Sequence, residues 1–160
     1  MAVIFDYLLS KKKAHQIGNV KTLYHQTSRE NAKKILNKNT MYPGNFGLAG
    51  GGIYFATTIE DTNHKAHSKG VVLECQVALG NCKTLGMLGE HQLNVKQLYQ
   101  DGYHSVLIPR SGDEYVVYSP SQVLKITKIK EYELKDNYQS VTHKFNNKFE
   151  VYQPSGTLNW

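Results

Sequence analysis

Three residues of different chemical kind stand on short apolar runs: His25 closes 22–25, Tyr54 lies inside 53–56, and Glu114 opens 114–118. Each alone has an ordinary explanation, as a satisfied histidine, a core tyrosine and a hairpin-edge glutamate. An imidazole, an aromatic ring and a carboxylate at strand ends are also the raw material of a binding or catalytic site. Other routes to chemistry fail on spacing. Gly44, Gly47 and Gly50 recur every third residue and lead into a strand, so they do not form the G-x-G-x-x-G dinucleotide fingerprint, which opens a helix. No phosphate-loop run of glycine, lysine and serine or threonine is present, and no serine sits on a nucleophile elbow. The seven histidines, including His64 and His67 on a predicted helix, stand at no recognised metal-ligand spacing, so no metal is expected.

The elements that must position these groups follow from periodicity and caps. A strand is expected over 22–25. Thr27 and Glu30 then fit a capping box, opening a helix that buries Ala32, Ile35 and Leu36 and leaves Lys33, Lys34 and Lys38 in water. Residues 39–52, NTMYPGNFGLAGGG, read as a loop, followed by a short buried strand at 53–56. Thr58 and Asp61 suit the start of a second helix, expected to run to about Ser68 with Gly70 as its stop. The longest apolar strand is expected at 71–79, turned by Gly80-Asn81, and a short helix at 95–99, capped by Asn94 and closed by Gly102. The runs 103–108 and 114–118 read as a hairpin around a five-residue loop, and 122–134 as a half-buried strand.

With 160 residues the chain has room for one domain with a real core. Eleven tyrosines and thirteen glycines against one tryptophan fit a strand-rich fold with tight turns. A net charge of +6 and a pI of about 9.2 favour anionic ligands, from nucleotides to nucleic acid, although the lysines form no long stripe. Cys75 and Cys82 make no disulfide framework, which points to a reduced, intracellular protein, cytoplasmic or nuclear. The N-terminal apolar stretch carries Asp6 and precedes its lysines, the reverse of a secretory signal, and is too short to span a bilayer. Residues 1–20 are expected to form a short helix or loose arm, 21–134 the folded domain, and 135–160 a partly ordered extension.

In sequence order, Tyr24-His25-Gln26-Thr27-Ser28, Gly52-Ile53-Tyr54-Phe55-Ala56 and Asp113-Glu114-Tyr115-Val116-Val117-Tyr118 resemble the His-Tyr-Glu pattern of the diphtheria-toxin-like ADP-ribosyltransferases. Within them the resemblance is to the poly(ADP-ribose) polymerase-like catalytic domain. It covers about residues 21–130, with Asn31, Ile35 and Leu36, the Val77–Asn81 turn and the segments flanking Glu114 in support. It implies an α+β fold of the ADP-ribosyltransferase type, with split antiparallel or mixed sheets and a few short helices around an NAD cleft. It implies an enzyme that consumes NAD as co-substrate. By resemblance, His25 would hold ribose hydroxyls, Tyr54 would stack on nicotinamide, and Glu114 would bind the nicotinamide ribose and stabilise the cation formed there. Gln26 backbone groups and the Thr62 hydroxyl would hold the carboxamide, and Thr27 and Asn31 would meet the adenosine half. Two positions depart from the pattern: Gln26 replaces the usual glycine, and Lys65 falls near the usual second nicotinamide-stacking aromatic. The short loop before Glu114 implies transfer of single ADP-ribose units, to a protein acceptor or alternatively to nucleic acid. A third reading is a catalytically weak module that binds NAD or ADP-ribose.

Overall fold

The strand that carries His25 is longer than its apolar run, because it is built by pairing. The computed structural model of the chain describes residues 11–133, so the expectations for 1–10 and 135–160 lie outside the described residues. In chain order the elements are α1 (Lys11–Ile17), β1 (Val20–Thr27), α2 (Arg29–Lys38), β2 (Ile53–Ala56), α3 (Ile59–Lys65), β3 (Val71–Ala78), β4 (Cys82–Thr84), α4 (Val95–Gln100), β5 (Ser105–Ile108), β6 (Glu114–Val117), a 3-10 turn (Pro120–Gln122) and β7 (Val123–Glu131). β1 pairs antiparallel with β3 over its whole length, from Val20 opposite Ala78 to Thr27 opposite Val71.

The fold is mixed α+β, with one seven-stranded sheet in the order β4-β5-β6-β2-β1-β3-β7. Every neighbouring pair is antiparallel except β4 and β5. The two halves of the sheet meet between β2 and β1, where the register holds at one position only, Tyr24 opposite Ala56.

Alternation along the strands divides the core between two faces. Leu23, Ile53, Phe55, Leu73, Cys75 and Val117 face one side, against Ile35 and Leu36 of α2. Tyr54, Val106, Ile108, Val116 and Tyr118 face the other, with Leu98 of α4. α1 packs on the 3-10 turn, burying Ala14.

Several boundaries differ from expectation. Thr27 stays in the ladder opposite Val71, so the cap of α2 passes to Ser28, whose hydroxyl accepts the Asn31 N–H at 3.1 Å. Glu30 then sits in the first turn and pairs with Lys34 at 3.1 Å instead of closing a capping box. α3 begins as expected, with Thr58 accepting the Asp61 N–H, but ends at Lys65 where Ala66 turns extended, so His67 lies beyond it. β4 is a three-residue strand without an apolar pattern, held by its parallel pairing to β5. The five-residue loop 109–113 falls as expected, between Ile108 and its partner Glu114.

Candidate functional site

Beyond Tyr24 and Ala56 the strands β1 and β2 no longer share a ladder, and a side chain takes over. His25 Nδ1 lies 2.9 Å from the carbonyl oxygen of Tyr54. A carbonyl only accepts, so Nδ1 carries the proton and Nε2 is the acceptor nitrogen of the ring. The ring stands edge-on to Phe55, with centroids 6.1 Å apart. Burial holds the imidazole pKa down to about 4, opposed by the Tyr54 carbonyl and reinforced by His67. His25 is therefore neutral at physiological pH, fixed in one tautomer, with Nε2 of the type that accepts a hydrogen bond.

A cleft of about 220 Å³ opens beside this ring. Its walls are His25 and Thr27 of β1, Asn31, Lys34 and Ile35 of α2, Met41 and Tyr42 of the following loop, and Gly52 and Ile53 at the start of β2. Three residues singled out in the sequence thus share one cleft. Thr27 contributes a hydroxyl, Asn31 an amide and Lys34 a cation, while Ile35, Met41 and Ile53 give it an apolar floor.

Tyr54 meets His25 through its backbone, while its ring points to the opposite face of the sheet. There it is 2 % exposed, and its hydroxyl donates to the Gly50 carbonyl at 2.6 Å and accepts the Ala49 N–H at 2.9 Å. Tyr118 adds a bond from its hydroxyl to the Ala49 carbonyl at 2.7 Å. Gly47 lies flat against the Tyr54 ring, where any Cβ would collide with it. Two tyrosines thus pin the glycine-rich loop, and burial pushes the Tyr54 phenol up to about 12, opposed by the Ala49 N–H. The Tyr54 ring is thus covered by the loop in this structure.

Glu114 opens β6 opposite Ala56, two register places along from Tyr54 and on the same face. Its side chain is 3 % exposed and ion-paired at 3.3 Å to Arg110, which is 40 % exposed. Burial raises the carboxyl pKa, while the Lys65 and Arg110 charges pull it back. Lys65, at the end of α3, donates to the Gly112 carbonyl, and Asp61 packs against the same glycine. Burial lowers the Lys65 pKa, opposed most strongly by Glu114. The loop before Glu114 is thereby clamped to α3.

Gln26 reaches the same helix from β1. Its side chain is 1 % exposed, donating to Thr62 Oγ1 at 2.9 Å and Asn63 Oδ1 at 2.8 Å and accepting the Gly70 N–H at 3.3 Å. The Thr62 hydroxyl spends its own proton on the Ile59 carbonyl at 2.5 Å. Asn63, Gly70, Lys65 and Arg110 escape a local reading because their partners lie on other elements. Lys65 and Gly70 were visible in the sequence in other roles, and Arg110 as the one basic residue of the loop that delivers Glu114.

No protein-family model matches the chain, and a search of curated proteins finds no match. Among the described residues no group of three or more His, Cys, Asp and Glu could hold a metal ion, and no helix is long and apolar enough to cross a membrane.

Proposed function

We propose that the chain is an ADP-ribosyltransferase of the His-Tyr-Glu type, which transfers single ADP-ribose units from NAD to an acceptor, here taken as a protein, and releases nicotinamide. The observation that carries this reading is the cleft itself. His25, Thr27 and Asn31, chosen from the sequence for contacts to NAD, line one cavity with Lys34 at its rim. At about 220 Å³ the cavity falls below the ~300–1,000 Å³ of whole small-molecule sites, a size suited to the adenosine half of a dinucleotide. Tyr54's ring and Glu114 lie on the opposite face of the sheet from this cleft, so on this reading the other half has to cross the sheet where β1 and β2 part beyond Tyr24 and Ala56.

On this reading the neutral His25 ring accepts a hydrogen bond from a ribose hydroxyl and fixes the sugar. The bond between C1′ and the pyridinium nitrogen breaks, and its electron pair leaves with nicotinamide, which becomes neutral. The sugar passes through an oxocarbenium-like state. Glu114, a carboxylate in a buried and water-poor place, is worth most at that moment, when positive charge appears on the ribose. An acceptor nucleophile then bonds to C1′ and gives up its proton to solvent. The leaving group needs no proton from the enzyme.

The test is incubation with labelled NAD followed by intact-mass measurement of the chain and of a lysate. Nicotinamide release and single added units that depend on Glu114 are the expected result. No release and no adduct, with Glu114→Ala equal to the parent, would overturn the proposal. The engaged hydroxyl of Tyr54 favours a second reading, a module that binds ADP-ribose without turnover. Binding without nicotinamide release would select it.

A further inference from the structure

The cleft beside His25 is lined by one charged side chain among the described residues, Lys34, since the buried imidazole is neutral and no Asp or Glu is part of its wall. Lys34 follows Asn31 by three residues on α2, which puts both side chains on one face of the helix. One turn further, Lys38 holds its ammonium 5.9 Å from the ring of Tyr42, which lines the same cleft and is 67 % exposed. Two cations thus stand along α2 beyond the turn that carries Asn31. The C-terminal end of a helix by itself repels an anion. Here the Asn39 and Thr40 N–H groups cover the Leu36 and Ile35 carbonyls, and the lysines outweigh what is left. We propose that the cleft takes a nucleoside whose ribose carries a phosphate monoester, the chemistry of NADP, with Lys34 as the residue that binds the phosphate. The orientation of the ligand rests on the proposed transferase reading, whereas the cleft and its cations do not.

Position decides which phosphate Lys34 meets. A dinucleotide leaves the cleft past His25 to cross the sheet, so its diphosphate lies at that end, away from the second turn of α2. A group at Lys34 therefore hangs from the ribose inside the cleft. The base lies on the apolar floor of Ile35, Met41 and Ile53 with the Tyr42 ring beside it, and Thr27 and Asn31 offer partners to the sugar. Lys34 now pairs with Glu30 at 3.1 Å, with the two side chains 66 % and 79 % exposed. An exposed pair at this spacing is weak, and a phosphate monoester brings about two negative charges at pH 7, so the exchange favours the ligand. NAD, with a hydroxyl at that place, leaves Lys34 with Glu30 and gains nothing from it. Chemistry at C1′ is the same for both donors: the glycosidic bond breaks, its electron pair leaves with nicotinamide, and the acceptor nucleophile bonds to C1′ and loses its proton to solvent. With NADP the transferred unit carries the extra phosphate.

The experiment is calorimetric binding of NAD, NADP, 2′-AMP and 5′-AMP to the parent chain, with nicotinamide release from both dinucleotides followed in the same samples. NADP is expected to bind about tenfold tighter than NAD or better, and 2′-AMP tighter than 5′-AMP by a similar factor. Both preferences shrink as salt rises, because Lys34 is exposed. Lys34→Gln, at a side chain outside the core, brings the NADP-to-NAD ratio close to one, and Glu30→Gln raises it by removing the competing carboxylate. Equal binding of NAD and NADP, equal binding of 2′-AMP and 5′-AMP, or a ratio unmoved in Lys34→Gln overturns the inference, and nicotinamide release from NAD then still upholds the transferase reading. Preference for NADP and 2′-AMP without release from either dinucleotide overturns the transferase reading and upholds the inference. No binding of any of the four probes overturns both.

Discussion

The Arg110 guanidinium lies 3.3 Å from the Glu114 carboxylate, pairing a group 40 % exposed with one only 3 % exposed. The pair spans the loop that ends β5 and begins β6, so the cation is delivered by the same turn that delivers the carboxylate. Burial works against the charged form of Glu114, and Arg110 with Lys65 works for it. Burial is the larger effect, so the Glu114 carboxyl stands above its ordinary pKa while Lys65 and Arg110 hold it down.

Activity in acid should follow that balance. Glu114→Gln preserves shape and removes the charge, and is expected to lower kcat by about 10²–10³-fold with little change in KM. Arg110→Gln removes a cation that pulls the carboxyl pKa down, so burial then raises it further. The acid limb of nicotinamide release moves to higher pH in that variant, as a pH–rate profile would record. An unmoved limb would show that Glu114 does not set it.

Stability should respond to His25 over a different window. The unfolded chain takes up a proton at this ring near pH 6.5 and the folded chain only near 4. Between those values the unfolded state holds more protons, so stability falls as pH falls, and above pH 6.5 the contribution is constant. The loss is on the order of 3 kcal/mol across the window, at about 1.4 kcal/mol per pKa unit. Denaturant midpoints measured from pH 4 to 7 should fall more steeply for the parent than for His25→Gln, which cannot titrate.

The pinned loop makes its own forecast. Gly47→Ala places a methyl group against the Tyr54 ring and is expected to cost about 1–3 kcal/mol. Tyr54→Phe leaves the Ala49 N–H and the Gly50 carbonyl without their hydroxyl partner, at about 2–4 kcal/mol together. Urea titration of both variants checks these values, and proteolysis within 42–52 should quicken in each.

The cap of α2 can be located by two small substitutions. Ser28→Ala removes the oxygen that accepts the Asn31 N–H and should cost about 1 kcal/mol. Thr27→Val keeps a β-branched side chain in the strand and leaves the cap intact, so thermal unfolding should show the larger loss for Ser28.

Local rules found the strands and most caps because those depend on neighbours in sequence. Thr58 and Asn94 cap the helices that their spacing implies, and Ile53–Ala56 is a strand with the expected bounds. The same rules misplaced the cap at Thr27, since nothing local reveals that Val71 claims its backbone. They placed His67 on a helix that stops at Lys65, and passed over β4, which exists only through its partner β5. In the site, His25, Thr27 and Asn31 converge because β1 leads directly into α2. The partners of Gln26 were hidden, because Thr62, Asn63 and Gly70 reach it only after the chain has crossed the sheet and returned.

A sheet whose halves share one register position, Tyr24 opposite Ala56, backed by the His25–Tyr54 bond, is expected to flex as two plates with that seam as the hinge. His25, Thr27 and Asn31 belong to one plate or its covering helix, and Glu114 belongs to the other. A dinucleotide gripped at one end by the first group and at the other by Glu114 would act as a brace across the hinge. Its arrival would be felt chiefly as stiffness, with amides on both sides of the line exchanging more slowly together while the outline of the molecule stays the same.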